Sequence, residues 1–349
     1  PPLLGFNGTN FSIHMNQQLE AKLREFSPGF IRFPGGTVAN GYYPKGNGYG
    51  NSVSTKMVKK GVGKHLTKAR KKAHGMKENI RVAVAEYCTV QRVPLLYVAN
   101  VWDGTPQELL ESLRYFKNSG VEIIGIELGN EYYLQAYRHQ FSTALEYIEA
   151  CKPFLRELKA SFPHIPISWV AAPSPSLKRT GNTTFFKAWN EQLSLEPLVQ
   201  NISVHYYPNP ENCEAKDEAC LKTFLSKEQA QWKAGFYELN ETFQGKGIWV
   251  TEWNLKQATI YGGGTFHYEF LNAFLFDVFQ MKSEGAPIHL LSYHNLVGGE
   301  GSVGNALFSV HSDSIQTLRA KGLFDWYGKW STEEVSAAYL GGNHEVLKL

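Results

Sequence analysis

Two carboxylates stand where apolar, strand-like runs stop: Glu131, closing Gly125-Ile-Glu-Leu-Gly-Asn-Glu131, and Glu252, within Trp249-Val-Thr-Glu-Trp-Asn254. Acids placed in this way suit cleavage of a glycosidic bond. One carboxyl protonates the departing oxygen, and a second meets the positive charge that develops at the sugar carbon. Both must project from a rigid frame into one cleft, so the remainder of the chain has to supply that frame.

Short runs rich in branched and aromatic residues fall at 3–6, 30–33, 94–99, 123–128, 167–171, 202–206, 248–250 and 289–293. Between them lie longer stretches of helical period at 105–118, 140–161, 227–243 and 268–284, with Thr105-Pro106 and Ser226 as expected caps. Eight strands alternating with helices predict an α/β fold, the (β/α)8 TIM barrel, over residues 1–330. An open doubly wound sheet also alternates, but the first strand here precedes no Gly-x-Gly-x-x-Gly loop. The connection from strand 2 to strand 3 is far longer than usual and is expected to form a basic loop at 37–75 over the catalytic mouth. Its cluster at 56–72 is either a solvated surface or an attractor for a uronate- or sulfate-bearing polymer. Residues 331–349 form a tail expected to pack on the barrel or to begin an accessory β-domain.

The 349 residues are 43% hydrophobic, 19% charged and 13% aromatic, which suits a large buried core. A formal net charge of +3 does not imply nucleic acid, and no apolar run reaches the roughly 20 residues of a membrane span. The expected partner is therefore carbohydrate, without nucleic acid, membrane span or cofactor. The chain shows neither an initiator Met nor a signal-peptide stretch, as in a mature or trimmed protein, and the expected setting is secreted, periplasmic or lysosomal. Cys213 and Cys220 share one polar loop that allows a local disulfide, whereas Cys88 and Cys151 read as buried thiols.

In a barrel, functional side chains gather at the carboxyl ends of the strands. The candidates there are Arg32 on strand 2, Asn100 and Trp102 on strand 3, Asn130 and Glu131 on strand 4, His205 and Tyr207 on strand 6, Glu252 on strand 7, and His294 and Asn295 on strand 8. Trp102, Tyr132, Tyr133, Trp253 and Tyr261 are expected sugar-stacking surfaces, with core packing as the alternative. Glu127 shares strand parity with Glu131. A deep carboxylate needs a partner, so it is either structural or a sign that the strand register is imperfect. His289 and His294 have no Cys/His/carboxylate cluster around them in sequence, so no catalytic metal is expected.

Asn130-Glu131 after strand 4 and Thr251-Glu252-Trp253 after strand 7 resemble the signature of the clan A retaining glycoside hydrolases. Arg32 and His205-Tyr-Tyr-Pro208 are similar to the strand 2 and strand 6 residues that contact the nucleophile in that clan. Arg32-Phe-Pro-Gly-Gly36 and Leu128-Gly-Asn-Glu131 resemble most the α-L-arabinofuranosidase and heparanase/β-glucuronidase families, with some likeness to β-agarases. The resemblance covers essentially the whole chain. It implies Glu131 as acid/base, Glu252 as nucleophile and Asn130 on the sugar 2-hydroxyl, with hydrolysis by double displacement of a polysaccharide or oligosaccharide. An acidic substrate is favoured by the 56–72 cluster, with hemicellulose or agar-type galactan next. A transglycosidase on the same scaffold and a catalytically silent carbohydrate-binding barrel are the rival readings.

Overall fold

The computed structural model describes residues 3–8, 11, 14–49, 60–76, 78–177, 183–210, 213–214, 217–256, 264–302 and 304–329, with side chains from residue 63 onward in the segment that begins at 60. The 331–349 tail, Tyr261 and the start of the basic segment lie outside the described residues.

All eight expected strands form: β1 (Leu3–Asn7), β2 (Ile31–Phe33), β3 (Leu95–Val98), β4 (Ile123–Glu127), β5 (Ile167–Val170), β6 (Asn201–Tyr206), β7 (Gly247–Trp253) and β8 (Ile288–Tyr293). They pair in sequence order as a closed parallel barrel, a (β/α)8 TIM barrel, which β1 and β8 close by setting Leu3 opposite Leu290 and Phe6 opposite Tyr293. One boundary needs correction. β7 continues through Trp253, so Glu252 lies within a strand and not beyond its end.

The outer layer contains α1 (Gln17–Arg24), α2 (Lys60–Ala73), α3 (Arg81–Gln91), α4 (Pro106–Asn118), α5 (Ala144–Ser161), α6 (Thr183–Ser194), α7 (Glu218–Thr242) and α8 (Thr265–Ser283). Thr105 starts α4 with a capping box: its hydroxyl accepts from the Glu108 N–H while the Glu108 carboxylate accepts from the Thr105 N–H. Ser226 is not a cap. It lies inside α7 and donates to the Lys222 carbonyl, whereas Asp217 caps the helix and the Cys213–Cys220 disulfide ties the preceding loop to its first turn.

The span expected to be a basic loop at 37–75 is instead partly helical. A 3-10 turn at Thr37–Gly41 is followed by α2, whose buried Leu66, Ala69 and Ala73 form one stripe, with Leu66 against Gly41. That arrangement leaves the lysines on the other faces of the helix.

Packing falls into two layers. Inside the barrel floor, Phe30, Leu96, Trp249 and Leu290 form a small apolar cluster. Gly125 makes room for it, because a Cβ there would lie 2.7 Å from Trp249 Cη2. Outside, the strands bury their other face against the helices through Trp169, Trp189, Trp232 and Phe274. Beyond β8 the chain adds β9 (Val297–Gly298), β10 (Phe308–Val310) and β11 (Ile315–Thr317), a small sheet too short to be read from sequence, and then α9 (Lys321–Lys329).

α9 covers the β1–β8 closure. Its buried Phe324 ring lies 5.1 Å from Phe6 and 5.0 Å from Tyr293, centroid to centroid. Phe324→Ala should cost about 3–5 kcal/mol of unfolding free energy in a denaturant titration, because the ring is buried against Phe6 and Tyr293. A loss below about 1 kcal/mol would mean that α9 contributes little to barrel closure.

Candidate active site

Arg32 is completely buried within β2, and its guanidinium organises the floor of the site. Nε donates to Glu127 Oε1 at 2.6 Å and Nη2 to Glu127 Oε2 at 3.0 Å, a two-pronged pairing. Nη1 donates to Glu252 Oε1 at 2.7 Å, and Nη2 also reaches Asn130 Oδ1 at 3.0 Å. Glu127 additionally accepts from the Thr251 hydroxyl at 3.0 Å. Its inward parity was therefore real, and its role is that of a counter-ion holding Arg32. Removing one member of such a buried set leaves an uncompensated charge, typically at a cost of about 3–5 kcal/mol.

Glu252 reaches this cluster because β7 is irregular. Against β6, Val204 pairs with Val250 but His205 pairs with Glu252; against β8, Val250 pairs with Leu291 and Trp253 with Tyr293. Both neighbours thus see one extra residue in β7, a bulge at Thr251–Glu252. Simple alternation would turn two successive side chains to opposite faces. With the bulge, Thr251 meets Glu127 while Glu252 meets Arg32.

Glu252 is 5% exposed and richly bonded: Asn7 Nδ2 donates to Oε1 at 3.2 Å and the Tyr207 hydroxyl to Oε2 at 2.6 Å. Burial opposes its ionisation, but the charges of His205 and Arg32, then His294 and the Tyr207 hydrogen bond, outweigh it and hold this carboxyl well below the usual range. Arg32 is shifted the other way. Burial works against its charge, and the Glu127 and Glu252 carboxylates raise its pKa despite that. Tyr207 is pushed well above the usual phenol value, first by burial and then by the Glu252 charge, so it stays a hydrogen-bond donor.

The second carboxylate leaves β4 on a tightly constrained turn. Gly129 has φ 113°, and a Cβ there would lie 1.9 Å from the Tyr132 ring. Asn40, in the 3-10 turn after β2, pins Asn130 from both sides, with Nδ2 donating to its carbonyl at 2.8 Å and Oδ1 accepting from its N–H at 3.1 Å. Glu131 then adopts φ 52°, a left-handed conformation that costs free energy in a residue with a Cβ. That turn points its carboxylate at His205 Nδ1, 3.0 Å away, and at the Tyr133 hydroxyl, which donates at 3.3 Å. Its side chain is 21% exposed, more open than Glu252.

The same His205 nitrogen lies 3.6 Å from Glu252 Oε2. Facing two carboxylates, Nδ1 carries the proton. Burial disfavours the charged imidazole, but Glu252 and then Glu131 outweigh burial and raise its pKa. One ring nitrogen therefore faces an oxygen of each carboxylate.

Arg32, Asn130, Glu131, His205, Tyr207, Glu252 and His294 thus converge. His294 Nδ1 lies 3.9 Å from Glu252 Oε2 and 3.1 Å from Asn7 Nδ2. Among the described residues, buried Asn130 Nδ2 has no hydrogen-bond partner, leaving one donor unused beside the carboxylates. Asn295 packs behind His294, its Nδ2 3.0 Å from His294 Nε2. Asn100 braces the β3 loop instead, bonding the Tyr42 carbonyl and the Asp103 N–H.

The aromatic platforms require correction. Trp253 is fully buried between Phe274 and Tyr293, and Tyr132 is fully buried among Tyr137, Phe141 and Tyr147, so neither offers a face to a sugar. Trp102 is also buried, edge-on to Tyr137, with only its indole N–H unpartnered. Tyr133 packs on Phe186 and serves Glu131 through its hydroxyl. Sequence reasoning missed Asn7 and Asn40. An Asn ending strand 1 was the available signal for the first, whereas the second had none. Among the described residues, no group of three or more His, Cys, Asp or Glu is placed to hold a metal ion.

The ionisation pattern predicts how stability varies with pH. His267 is buried against Asn254, and burial lowers its pKa from 6.5 to about 3. Between those values the unfolded chain binds the extra proton, so stability falls as pH falls, by about 1.4 kcal/mol per unit for one such group. Glu252, held low, adds to that loss below the usual carboxylate range. His205, held high, acts oppositely: its contribution is complete below pH 6.5 and is lost as pH rises through its folded value. Thermal unfolding should therefore peak at about pH 6–7 and decline on both sides. A Tm that climbs steadily from pH 7 to 4 would contradict these ionisation states.

No protein-family model and no curated protein matches the sequence. The fold does have relatives among solved structures. The GH51 arabinofuranosidase from Xanthomonas axonopodis pv. citri aligns with TM-score 0.65 at 14% identity, over 90% of this chain and 66% of that one. AbfB, a family 51 α-L-arabinofuranosidase from Bifidobacterium longum, aligns with TM-score 0.62 at 12% identity, over 93% and 71%. The endo-β1,6-glucanase BT3312 aligns with TM-score 0.56 at 11% identity, over 94% and 76%. This chain thus spans about two thirds of the length of the Xanthomonas protein. At these identities the similarity is one of fold, that of a TIM barrel.

Proposed function

We propose that the chain is a retaining glycoside hydrolase in which Glu252 is the nucleophile and Glu131 the acid/base. The observation that carries this reading is the pair of carboxylates meeting at one imidazole nitrogen at the carboxyl ends of β4 and β7, one of them clamped and ionised by Arg32. The nucleophile's oxygen attacks the anomeric carbon, and the bond to the departing oxygen breaks as Glu131 delivers its proton there. Water then gives up a proton to Glu131 and displaces the glycosyl ester, regenerating both carboxyls. The unused Asn130 Nδ2 donor suits a sugar hydroxyl next to the reacting carbon.

The substrate in this proposal is a polysaccharide or oligosaccharide bearing uronate or sulfate groups, because the basic helix α2 packs on the Thr37–Gly41 turn whose Asn40 holds Asn130. The Cys213–Cys220 disulfide supports a secreted or otherwise extracytoplasmic setting.

Wild type and Glu252→Gln should be compared on a panel of neutral, uronic and sulfated glycans, with products read by mass spectrometry and the first-formed anomer by proton NMR. Retained-anomer products, lost about a thousandfold or more in the variant, are expected. First-formed products of inverted configuration would overturn the nucleophile assignment.

A further inference from the structure

We infer that the arc of rim beyond β8, β1 and β2 holds a subsite for the anionic substituent of the chain being cleaved, formed by His14, Lys68 and Lys72. This inference rests on the proposed glycosidase reading and adds the group that selects the substrate.

Topology brings the three residues together. β8, β1 and β2 are consecutive in the closed parallel barrel, so the loops leaving their carboxyl ends share one arc of the catalytic face. His14 follows β1, and Lys68 and Lys72 lie on α2 in the connection after β2. The His14 ring lies against Gly299, which follows β8 and β9. Lys72 Nζ is 3.4 Å from His14 Nε2, close enough to donate to a neutral imidazole. The Thr37–Gly41 turn against which α2 packs is also the turn whose Asn40 fixes Asn130, so the cluster and the catalytic turn share a support.

Among the described residues, the charge at this place is uncompensated. No Asp or Glu occurs in the sequence between Glu25 and Glu78, and among the described residues no carboxylate lies within salt-bridge distance of Lys68 or Lys72. Lys64, Lys68 and Lys72 recur every fourth residue, so like charges stack along one face of α2, an arrangement that destabilises a helix. The helix dipole explains cations in the last turn, but it does not require Lys72 to be partly buried against a histidine. Burial, then Lys72 and Lys68, lower the His14 pKa to about 4, and burial and Lys68 lower that of Lys72. A carboxylate or sulfate ester bound here would relieve that repulsion and accept hydrogen bonds from two ammonium groups. A sugar chain is the fitting source because β8, at one side of this arc, pairs with β7, the strand that carries Glu252.

The test uses Glu252→Gln as a non-hydrolysing host, with binding of oligouronate, sulfated oligogalactan and neutral oligoglucan read by calorimetry at low and high salt. Lys68→Glu, at an exposed position, and Lys68→Glu/Lys72→Glu are made in that host, with circular dichroism to verify folding. The single variant is predicted to weaken binding of at least one anionic glycan by about tenfold at low salt while changing neutral binding less than about twofold. Equal binding of acidic and neutral glycans, unaltered by either variant, would overturn the subsite and leave the glycosidase reading standing. A host that binds no glycan at all would overturn both. Lysine-dependent binding of a DNA duplex without binding of either acidic glycan would overturn the inference in favour of a nucleic-acid surface.

Discussion

One buried cation fixes the site. The Arg32 guanidinium is shut off from bulk solvent and must be neutralised from within the barrel, so β4 has to deliver Glu127 and β7 has to deliver Glu252 to it. Those requirements lock the relative register of three strands that are not neighbours in the barrel wall. They also orient Asn130, whose oxygen is held by Arg32 and whose amide nitrogen is thereby left unbonded. The Thr251–Glu252 bulge follows from the same demand, since without it β7 could not serve Glu127 and Arg32 with successive residues.

The two proposed catalytic carboxylates differ in their surroundings in the way that double displacement needs. Glu252 is enclosed, bonded on both oxygens and kept ionised by positive neighbours. Glu131 stands at the more open edge, on a backbone turn that only Gly129 and the Asn40 clamp make tolerable. His205 links them through one nitrogen. Any change in the charge of one carboxylate is therefore felt by the other through a group whose own ionisation depends on both.

Much of the barrel could be read from sequence, because a buried strand announces itself as a short apolar run between turn residues; all eight appear, in order. The two acids of the proposed pair stood out for the same reason: both interrupt such runs. Side-chain direction was much less so. Tyr132 and Trp253 adjoin the carboxylates in sequence, yet they turn into the outer core, and nothing local distinguishes that from facing a cleft. Glu127 was ambiguous because its partner, Arg32, lies 95 residues earlier. The bulge escaped notice since a single extra residue leaves no trace in periodicity, and α2 read as a basic loop because its apolar stripe consists of one leucine and two alanines.

The central claim is that Glu252 attacks the sugar. Its most direct test is to slow deglycosylation with a Glu131→Ala variant, supply an activated aryl glycoside of a sugar that the wild type cleaves, and map the resulting adduct by peptide mass spectrometry. A glycosyl group esterified to the peptide carrying Glu252 is the predicted result. An adduct on a different side chain, or single-displacement turnover with inversion and no adduct, would contradict the account.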